Sequence, residues 1–149
     1  MVQIKQIVTN PYLITGLFSW IVAQIVKGVL FAIQNKKFDV KRLLGDGGMP
    51  SGHSATVMSL AAISGIMHGF ASFQFGVSAL LALIVCHDAM AVRREVEKQG
   101  AYIEEISKSV GSIQNSITLK KHLGHTPLQV LIGGAIGVCV ALIVHRIMF

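Results

Sequence analysis

Four apolar stretches, each near the length that crosses a lipid bilayer, dominate this sequence. They cover residues 11–33, 54–69, 73–89 and 127–144, and polar or glycine-rich residues separate them. A hydrocarbon core about 30 Å thick is crossed by about 20 helical residues. Because backbone N–H and C=O groups must be paired in hydrocarbon, we predict an all-α integral membrane bundle of about four transmembrane helices.

The composition of the 149-residue chain agrees with a membrane protein. Hydrophobic residues make up 52% of the chain and charged residues only 13%, whereas about a quarter of the residues in soluble domains are charged. At this length we expect a single domain over residues 1–149. The net charge of +6 comes from Lys and Arg clusters between the apolar stretches, and no basic–aromatic interleaving of the kind that stacks bases is visible. We therefore expect the partners to be the membrane and phosphate groups, and no nucleic acid.

The distribution of Lys and Arg predicts the orientation in the membrane. The connectors after the first and third apolar stretches hold ten of these residues, and the opposite side holds two. The excess of positive charge marks the cytoplasmic side, so we expect a multi-pass cell-membrane protein with both connectors in the cytoplasm. Residues 93–110 combine charges with apolar positions at helical spacing, which predicts a cytosolic helix after the third crossing.

A glycine-rich loop leads directly into the second apolar stretch. Residues 45–55 read Gly-Asp-Gly-Gly-Met-Pro-Ser-Gly-His-Ser-Ala. The first turn of a helix has unpaired N–H groups and a partial positive charge, which favour an anion such as phosphate. Pro50 suits the first helical position, Ser51 or Ser54 the cap, and His53 the rim, where it can donate or accept a proton. The alternative is a turn with a serine cap and a histidine that only packs.

The fourth apolar stretch begins in a similar way. Thr126 can cap a helix whose first turn contains Pro127, and His125 stands immediately before them. With four crossings, both helix starts fall on one side of the membrane, so His53 and His125 are predicted to meet. Three glycines within residues 133–137 allow close contact with a neighbouring helix.

Lys27 lies inside the first apolar stretch, where a charged side chain is costly. Such a residue is a functional-site candidate if it faces a cavity or a partner. In the alternative interpretation, the side chain extends from a helix end to the lipid headgroups.

Three motifs in the same order resemble those of the divergent branch of the type-2 phosphatidic acid phosphatase superfamily, a group of small bacterial and chloroplast membrane proteins. Residues 47–55 are similar to its Gly-Gly-Met-Pro-Ser-Ser/Gly-His-Ser-Ala signature, residues 88–94 to its Asp-Ala-x-x-Val-Arg-Arg stretch, and residues 123–127 to its closing motif. The resemblance extends over roughly residues 24–134.

The resemblance implies metal-independent phosphoryl transfer, without a cofactor, on a phosphorylated lipid such as a prenyl or glycerolipid phosphate. His125 would attack phosphorus to give a phosphohistidine, and His53 would protonate the departing oxygen. Ser51 and Gly52 would donate hydrogen bonds to phosphate. The basic side chains available to neutralise its oxygens are Lys27, Arg42, Arg93 and Arg94.

Departures from the superfamily motifs affect the expected activity. The first motif, KxxxxxxRP, is absent, and in the third motif Leu119 replaces the arginine and Gln129 replaces the acid that follows the nucleophile. A carboxylate at that position orients the imidazole and stabilises its positive charge, whereas an amide can only orient it. Asp88 is a candidate replacement for the missing catalytic acid, or it forms an ion pair with the arginines that follow it.

Two other functions and one assembly state follow from the same residues. The pocket can serve a non-catalytic binder or transporter of phosphorylated lipids, because Gln129 weakens the nucleophile. A metal site built from His87, Asp88, His122 and His125 is a further alternative. Since the superfamily's common fold has six crossings, a bundle of four is thin, and we expect a homodimer that completes the pocket.

Overall fold

The computed structural model describes residues 2–36, 48–110 and 124–149, and these residues form helices and no strands. The predicted membrane helical bundle is confirmed. The helices are α1 (Val2–Val8), α2 (Pro11–Asn35), α3 (Gly52–His68), α4 (Phe73–Met90), α5 (Val92–Val110) and α6 (Pro127–Met148). Three helical segments of the described residues are long and apolar enough to cross a membrane: Pro11–Asn35, Phe73–Ser107 and Pro127–Met148. With 17 residues, α3 is shorter than these three.

α3 is the centre of the bundle, because it packs against α2, α4 and α6. Its buried positions carry mostly small side chains, including Ser54, Ala55, Ser59 and Ala61. Lipid tails are as apolar as leucine, so helices in a membrane associate through close packing of small residues. The composition of α3 therefore explains its central position.

α6 approaches α3 most closely at two glycines. A Cβ atom added at Gly133 would collide with the carbonyl oxygen of Ser51, and one added at Gly137 would collide with that of Ala55. The prediction that these glycines allow tight helix contact is confirmed. This contact fixes the start of α6 beside the start of α3.

Polar caps define where the helices begin. The side chain of Asn10 accepts from backbone N–H groups of α2, and Thr126 does the same for α6. Ser51 caps α3 by accepting from the N–H of Ser54 at 3.3 Å, so Gly52 is the first helical residue. The prediction that Pro50 occupies that position is wrong, because Pro50 precedes the cap.

Four helix ends lie together at one end of the bundle, because the helix directions alternate. They are the end of α2, the start of α3, the end of α4 and the start of α6, and we call this end of the bundle the site end.

The outer surfaces of α2, α4 and α6 are rich in exposed large apolar side chains, as expected for helices that face lipid. On α4, for example, Leu80, Leu83 and Ile84 are all more than 60% exposed. α5 follows α4 directly and is rich in charged residues, so the predicted helix is present, and its position outside the membrane stays a prediction.

Candidate functional site

The rings of His53 and His125 face each other at the site end. Their centroids are 6.4 Å apart and their planes are inclined by 59°. His53 is the second residue of α3, and His125 lies two residues before the start of α6. The prediction that these two histidines meet is confirmed, although 71 residues of sequence separate them.

His125 is held by backbone contacts with α4 and α5. Its N–H donates to the carbonyl oxygen of Ala89 at 3.0 Å. The preceding Gly124 donates its N–H to Glu97 Oε2 at 3.3 Å and lies against Arg94, whose Cα would be only 2.8 Å from a Cβ added at Gly124. His125 is only 2% exposed, and its backbone is held between α4, α5 and the start of α6.

Gln129 determines which ring nitrogen of His125 carries the proton. Gln129 Oε1 accepts from the N–H of Thr126 at 3.1 Å and lies 3.1 Å from His125 Nδ1. Because a backbone N–H can only donate, the atom that faces both groups is the amide oxygen. His125 Nδ1 must then donate as well, so the lone pair of the neutral ring is on Nε2. This contact is the one expected of an amide that orients the imidazole ring.

The surroundings of His125 favour its neutral form. Burial lowers the pKa of His125 below its ordinary value of 6.5, and the positive charges of Lys27, His53 and Arg93 lower it further, whereas the hydrogen bond with Gln129 raises it. Desolvation is the largest of these effects. At neutral pH the ring is unprotonated on Nε2, which is the form required of a nucleophile.

Of the four predicted basic residues, the three within the described part of the chain lie near His125. Lys27 is 7% exposed, and its aliphatic stem would lie 3.8 Å from a Cβ added at Gly48. It lies two turns before the end of α2, so the alternative of a side chain that reaches the headgroups from a helix end does not fit. Arg93 acts on His125 through its charge, and Arg94 lines the adjoining cavity. Arg42 lies outside the described residues.

Asp88 is ion-paired with Arg93. Its Oδ2 accepts from Arg93 Nε at 2.9 Å, and both side chains are more than one third exposed. The Nδ1 atom of His125, to which a catalytic acid would bind, faces Gln129 instead. Of the two roles that the sequence left open for Asp88, the structural ion pair is the one with an observed contact.

Ser51 and Gly52 have structural contacts at the positions where phosphate contacts were predicted. Ser51 is fully buried, its Oγ accepts from Ser54 Oγ at 3.0 Å, and its N–H donates to the carbonyl oxygen of Gln129 at 3.1 Å. Gly52 makes room for Trp20, whose Cδ1 would be 3.2 Å from an added Cβ. These contacts join the starts of α3 and α6, and phosphate binding by the pair stays a prediction.

A polar cavity of about 440 Å³ opens beside His125. It lies between the end of α2, the start of α5 and the start of α6. Its lining residues are Phe31, Gln34, Asn35, Gly48, Arg94, Glu97, Gly124, His125, Thr126 and Gln129. His125 is therefore part of the wall of this cavity.

Comparison with known proteins places the chain in a family. The family model described as "Divergent PAP2 family" matches residues 8–140. The chain belongs to this family. A relative from Bacillus subtilis (strain 168), described as an uncharacterized membrane protein, YuiD, is 32% identical over 151 residues, which cover 93% of this chain and 96% of the relative. No solved structure matches the chain.

The residues matched by the family model include all three motifs and both histidines. They extend from α2 to the first part of α6. The membrane character of the YuiD relative agrees with the apolar helices found here. The phosphatase kinship predicted from the motifs is thus supported at the level of the family.

Within the described part of the chain, no group of three or more His, Cys, Asp or Glu residues is arranged to hold a metal ion. This includes His87, Asp88 and His125, which the sequence offered as ligands. The fourth proposed ligand, His122, lies outside the described residues.

Some residues of the site could not be found from their position in the sequence. Glu97 belongs to the charged face of an amphipathic helix and gives no local signal that it binds Gly124 across 27 residues. Gln34 and Asn35 mark only the end of a helix, yet they line the cavity. By contrast, the spacing of Thr126 and Gln129 is that of a capping box, a recognisable signal for the contact that also orients His125.

Proposed function

We propose that the protein is an integral membrane phosphatase that hydrolyses a lipid phosphate of the prenyl or glycerolipid class. The observation that supports this most directly is the pair of imidazole rings with centroids 6.4 Å apart. A phosphoryl group between the rings has a nucleophile on one side and a proton donor on the other. Membership of the Divergent PAP2 family agrees with phosphate chemistry.

In the first step, Nε2 of His125 attacks phosphorus, and the bond between phosphorus and the lipid oxygen breaks. The protonated His53 gives its proton to that oxygen, and the lipid leaves as an alcohol. In the second step, water attacks the phosphohistidine, the P–N bond breaks, and its electron pair returns to Nε2. One proton of the water restores His53, and inorganic phosphate leaves.

Positive charges support both steps. In phosphoryl transfer, most of the catalysis comes from positioning and from stabilising charge on the three equatorial oxygens. Lys27 is buried near His125, and Arg94 lines the cavity through which the headgroup would enter. Burial, together with the positive charge of Lys27, keeps His125 neutral before the reaction, because both lower its pKa.

The lipid would bind with its headgroup at the site end and its tail along the apolar outer surface of the bundle. The excess of Lys and Arg in the two connectors at this end supports a site on the cytoplasmic side. A second copy of the chain would widen the thin bundle, and a purely monomeric mass in mild detergent would contradict the homodimer.

The test uses purified protein in detergent with a panel of prenyl monophosphates, prenyl diphosphates and phosphatidic acids, in the presence of a chelator. We expect release of inorganic phosphate by the native chain and its loss in His125→Ala and His53→Ala. His68→Ala is the matched control, because His68 lies at the other end of α3. Absence of phosphate release across the panel, or full activity of His125→Ala, would contradict the proposal.

A second function is favoured by one observation. The group that orients His125 is the neutral amide of Gln129 and not a carboxylate, so the imidazolium receives no compensating charge. The pocket would then bind a phosphorylated lipid without hydrolysing it. Stoichiometric retention of a ³²P-labelled lipid phosphate, dependent on Lys27 and Arg94 but without phosphate release, would select this function.

A further inference from the structure

Gln24 carries a buried oxygen for which the described residues offer no hydrogen-bond donor. The residue is 9% exposed in the middle of α2, and its Oε1 is covered and unpaired within that part of the chain. A buried polar atom left unpaired destabilises a protein, because it has lost its hydrogen bonds to water and gained none in return. Atoms of this kind call for a specific explanation, such as a bound water or a role in catalysis.

Contacts on both sides of Gln24 place it beside the start of α3. One turn before it, Trp20 packs against Gly52, the residue that precedes His53. One turn after it, the stem of Lys27 packs against Gly48. Gln24 therefore lies beside residues 48–52, which lead into His53, and about 4.5 Å further from the site end than Lys27 along the helix axis.

The chemistry of an amide oxygen limits what it can bind there. Ionised phosphate oxygens accept hydrogen bonds, as the amide oxygen does, so Oε1 does not serve them. The cationic groups suited to phosphate, Lys27 and Arg94, lie nearer the site end, and Gln24 does not line the cavity there. An O–H donor on the deeper, enclosed side of the site fits Oε1, and water is the smallest such donor.

We propose that Gln24 positions the water that hydrolyses the phosphohistidine on His125, an inference that rests on the proposed function. The water donates one hydrogen bond to Gln24 Oε1 and the other to the neutral ring of His53. As its oxygen forms the new bond to phosphorus, the P–N bond breaks and the electron pair returns to His125 Nε2. The proton shared with His53 is transferred to that ring, and the hydrogen held by Gln24 stays on the product phosphate.

The experiment separates the two chemical steps. Purified Gln24→Met, which keeps the side-chain length and removes the acceptor, is mixed with ³²P-labelled farnesyl phosphate or ³²P-labelled phosphatidic acid in mixed micelles. Acid-labile, alkali-stable label on His125 and free phosphate are followed over time. We expect label to appear at the native rate, phosphate release to fall at least about tenfold, a free-energy change of about 1.4 kcal/mol, and phosphohistidine to accumulate. Gln24→Glu keeps an acceptor and should restore much of the release.

Ser19→Ala is the matched control, because Ser19 Oγ is also buried and unpaired among the described residues but lies five positions further from the site end. It should behave as the native protein. If Gln24→Met fails to fold, Gln24→Leu, which also removes the acceptor oxygen, is tested in the same experiment. Equal slowing of labelling and release in the Gln24 variants would overturn the role in water positioning and leave the phosphatase intact. A native protein that neither acquires label nor releases phosphate would overturn both.

Discussion

Gln129 Oε1 lies 3.1 Å from His125 Nδ1 and also accepts the backbone N–H of Thr126, so one amide oxygen both caps α6 and orients the imidazole. The helix cap and the nucleophile are therefore mechanically coupled. The backbone N–H cannot exchange its donor role, and this fixes the amide, which in turn fixes the proton on Nδ1. A residue that looks like the loss of a catalytic acid is thus an active part of the geometry.

Substitutions of Gln129 should distinguish its orienting effect on the His125 ring from the effect of a negative charge at that position. Gln129→Leu removes the acceptor, so the ring loses its orientation, and we expect phosphate release to fall at least about tenfold, which is about 1.4 kcal/mol in activation free energy. Gln129→Glu keeps the acceptor and adds charge that stabilises the imidazolium, so we expect release to rise. Steady-state phosphate release from the same micelles measures both. Loss of lipid binding without hydrolysis in Gln129→Glu would instead favour a binding role.

The stability of the protein should fall as the pH is lowered through the range in which His125 titrates. Its pKa in the folded state is lowered from 6.5, so the unfolded chain takes up a proton first as the pH falls. The stabilising contribution is complete above 6.5 and is lost as the pH falls through the folded-state pKa. Melting temperatures in detergent at about pH 7.5 and about pH 5.5 should differ more for the native chain than for His125→Gln. The other histidines are present in both proteins, so an equal difference would contradict this.

The same pKa should set the acid limb of the pH dependence of kcat/KM. Because His125 must be neutral to attack phosphorus, native activity should persist below pH 6.5. In Gln129→Glu, the nearby carboxylate raises the pKa of His125, and the acid limb should move to higher pH. An unchanged profile in this variant would show that His125 does not determine the limb.

Close packing of α6 on α3 should be sensitive to a single methyl group. In Gly137→Ala, the new Cβ meets the carbonyl oxygen of Ala55 and the backbone nitrogen of Ser59, so the helices must separate. We expect a loss of about 1–3 kcal/mol in the free energy of unfolding. Gly76→Ala is the control, because nothing lies within 4 Å of its added Cβ. There the methyl group should be neutral or stabilising, since alanine favours a helix over glycine. Equal melting temperatures for the two variants would contradict the close contact.

The ion pair of Asp88 and Arg93 should contribute little. Both side chains are more than one third exposed, and exposed pairs are worth about 0–1 kcal/mol. Since His125 Nδ1 faces Gln129, we expect Asp88→Asn to keep phosphate release within about threefold of the native rate, a change of less than about 1 kcal/mol. A loss as large as that in His125→Ala would indicate that Asp88 takes the place of the carboxylate that Gln129 replaces.

Helices and their starts were predictable because the signals are local. Apolar stretches of membrane length, a threonine before Pro127 and a serine before Gly52 act through neighbours within one or two turns, and the structure has helices there. The meeting of His53 and His125 also followed from the sequence, because alternating crossings bring both helix starts to one side of the membrane. The first residue of α3 was misplaced by two positions, Pro50 instead of Gly52, because the preference of proline for the first turn does not show which serine caps the helix.

The particular contacts of the site depend on packing between residues far apart in the chain. Glu97 reaches Gly124 across 27 residues, and Lys27 is buried against Gly48. The periodicity of the sequence does not predict these contacts, because each depends on the distance and rotation between two elements. The burial that lowers the pKa of His125 and leaves Gln24 Oε1 enclosed arises in the same way, from how closely small residues let the helices approach.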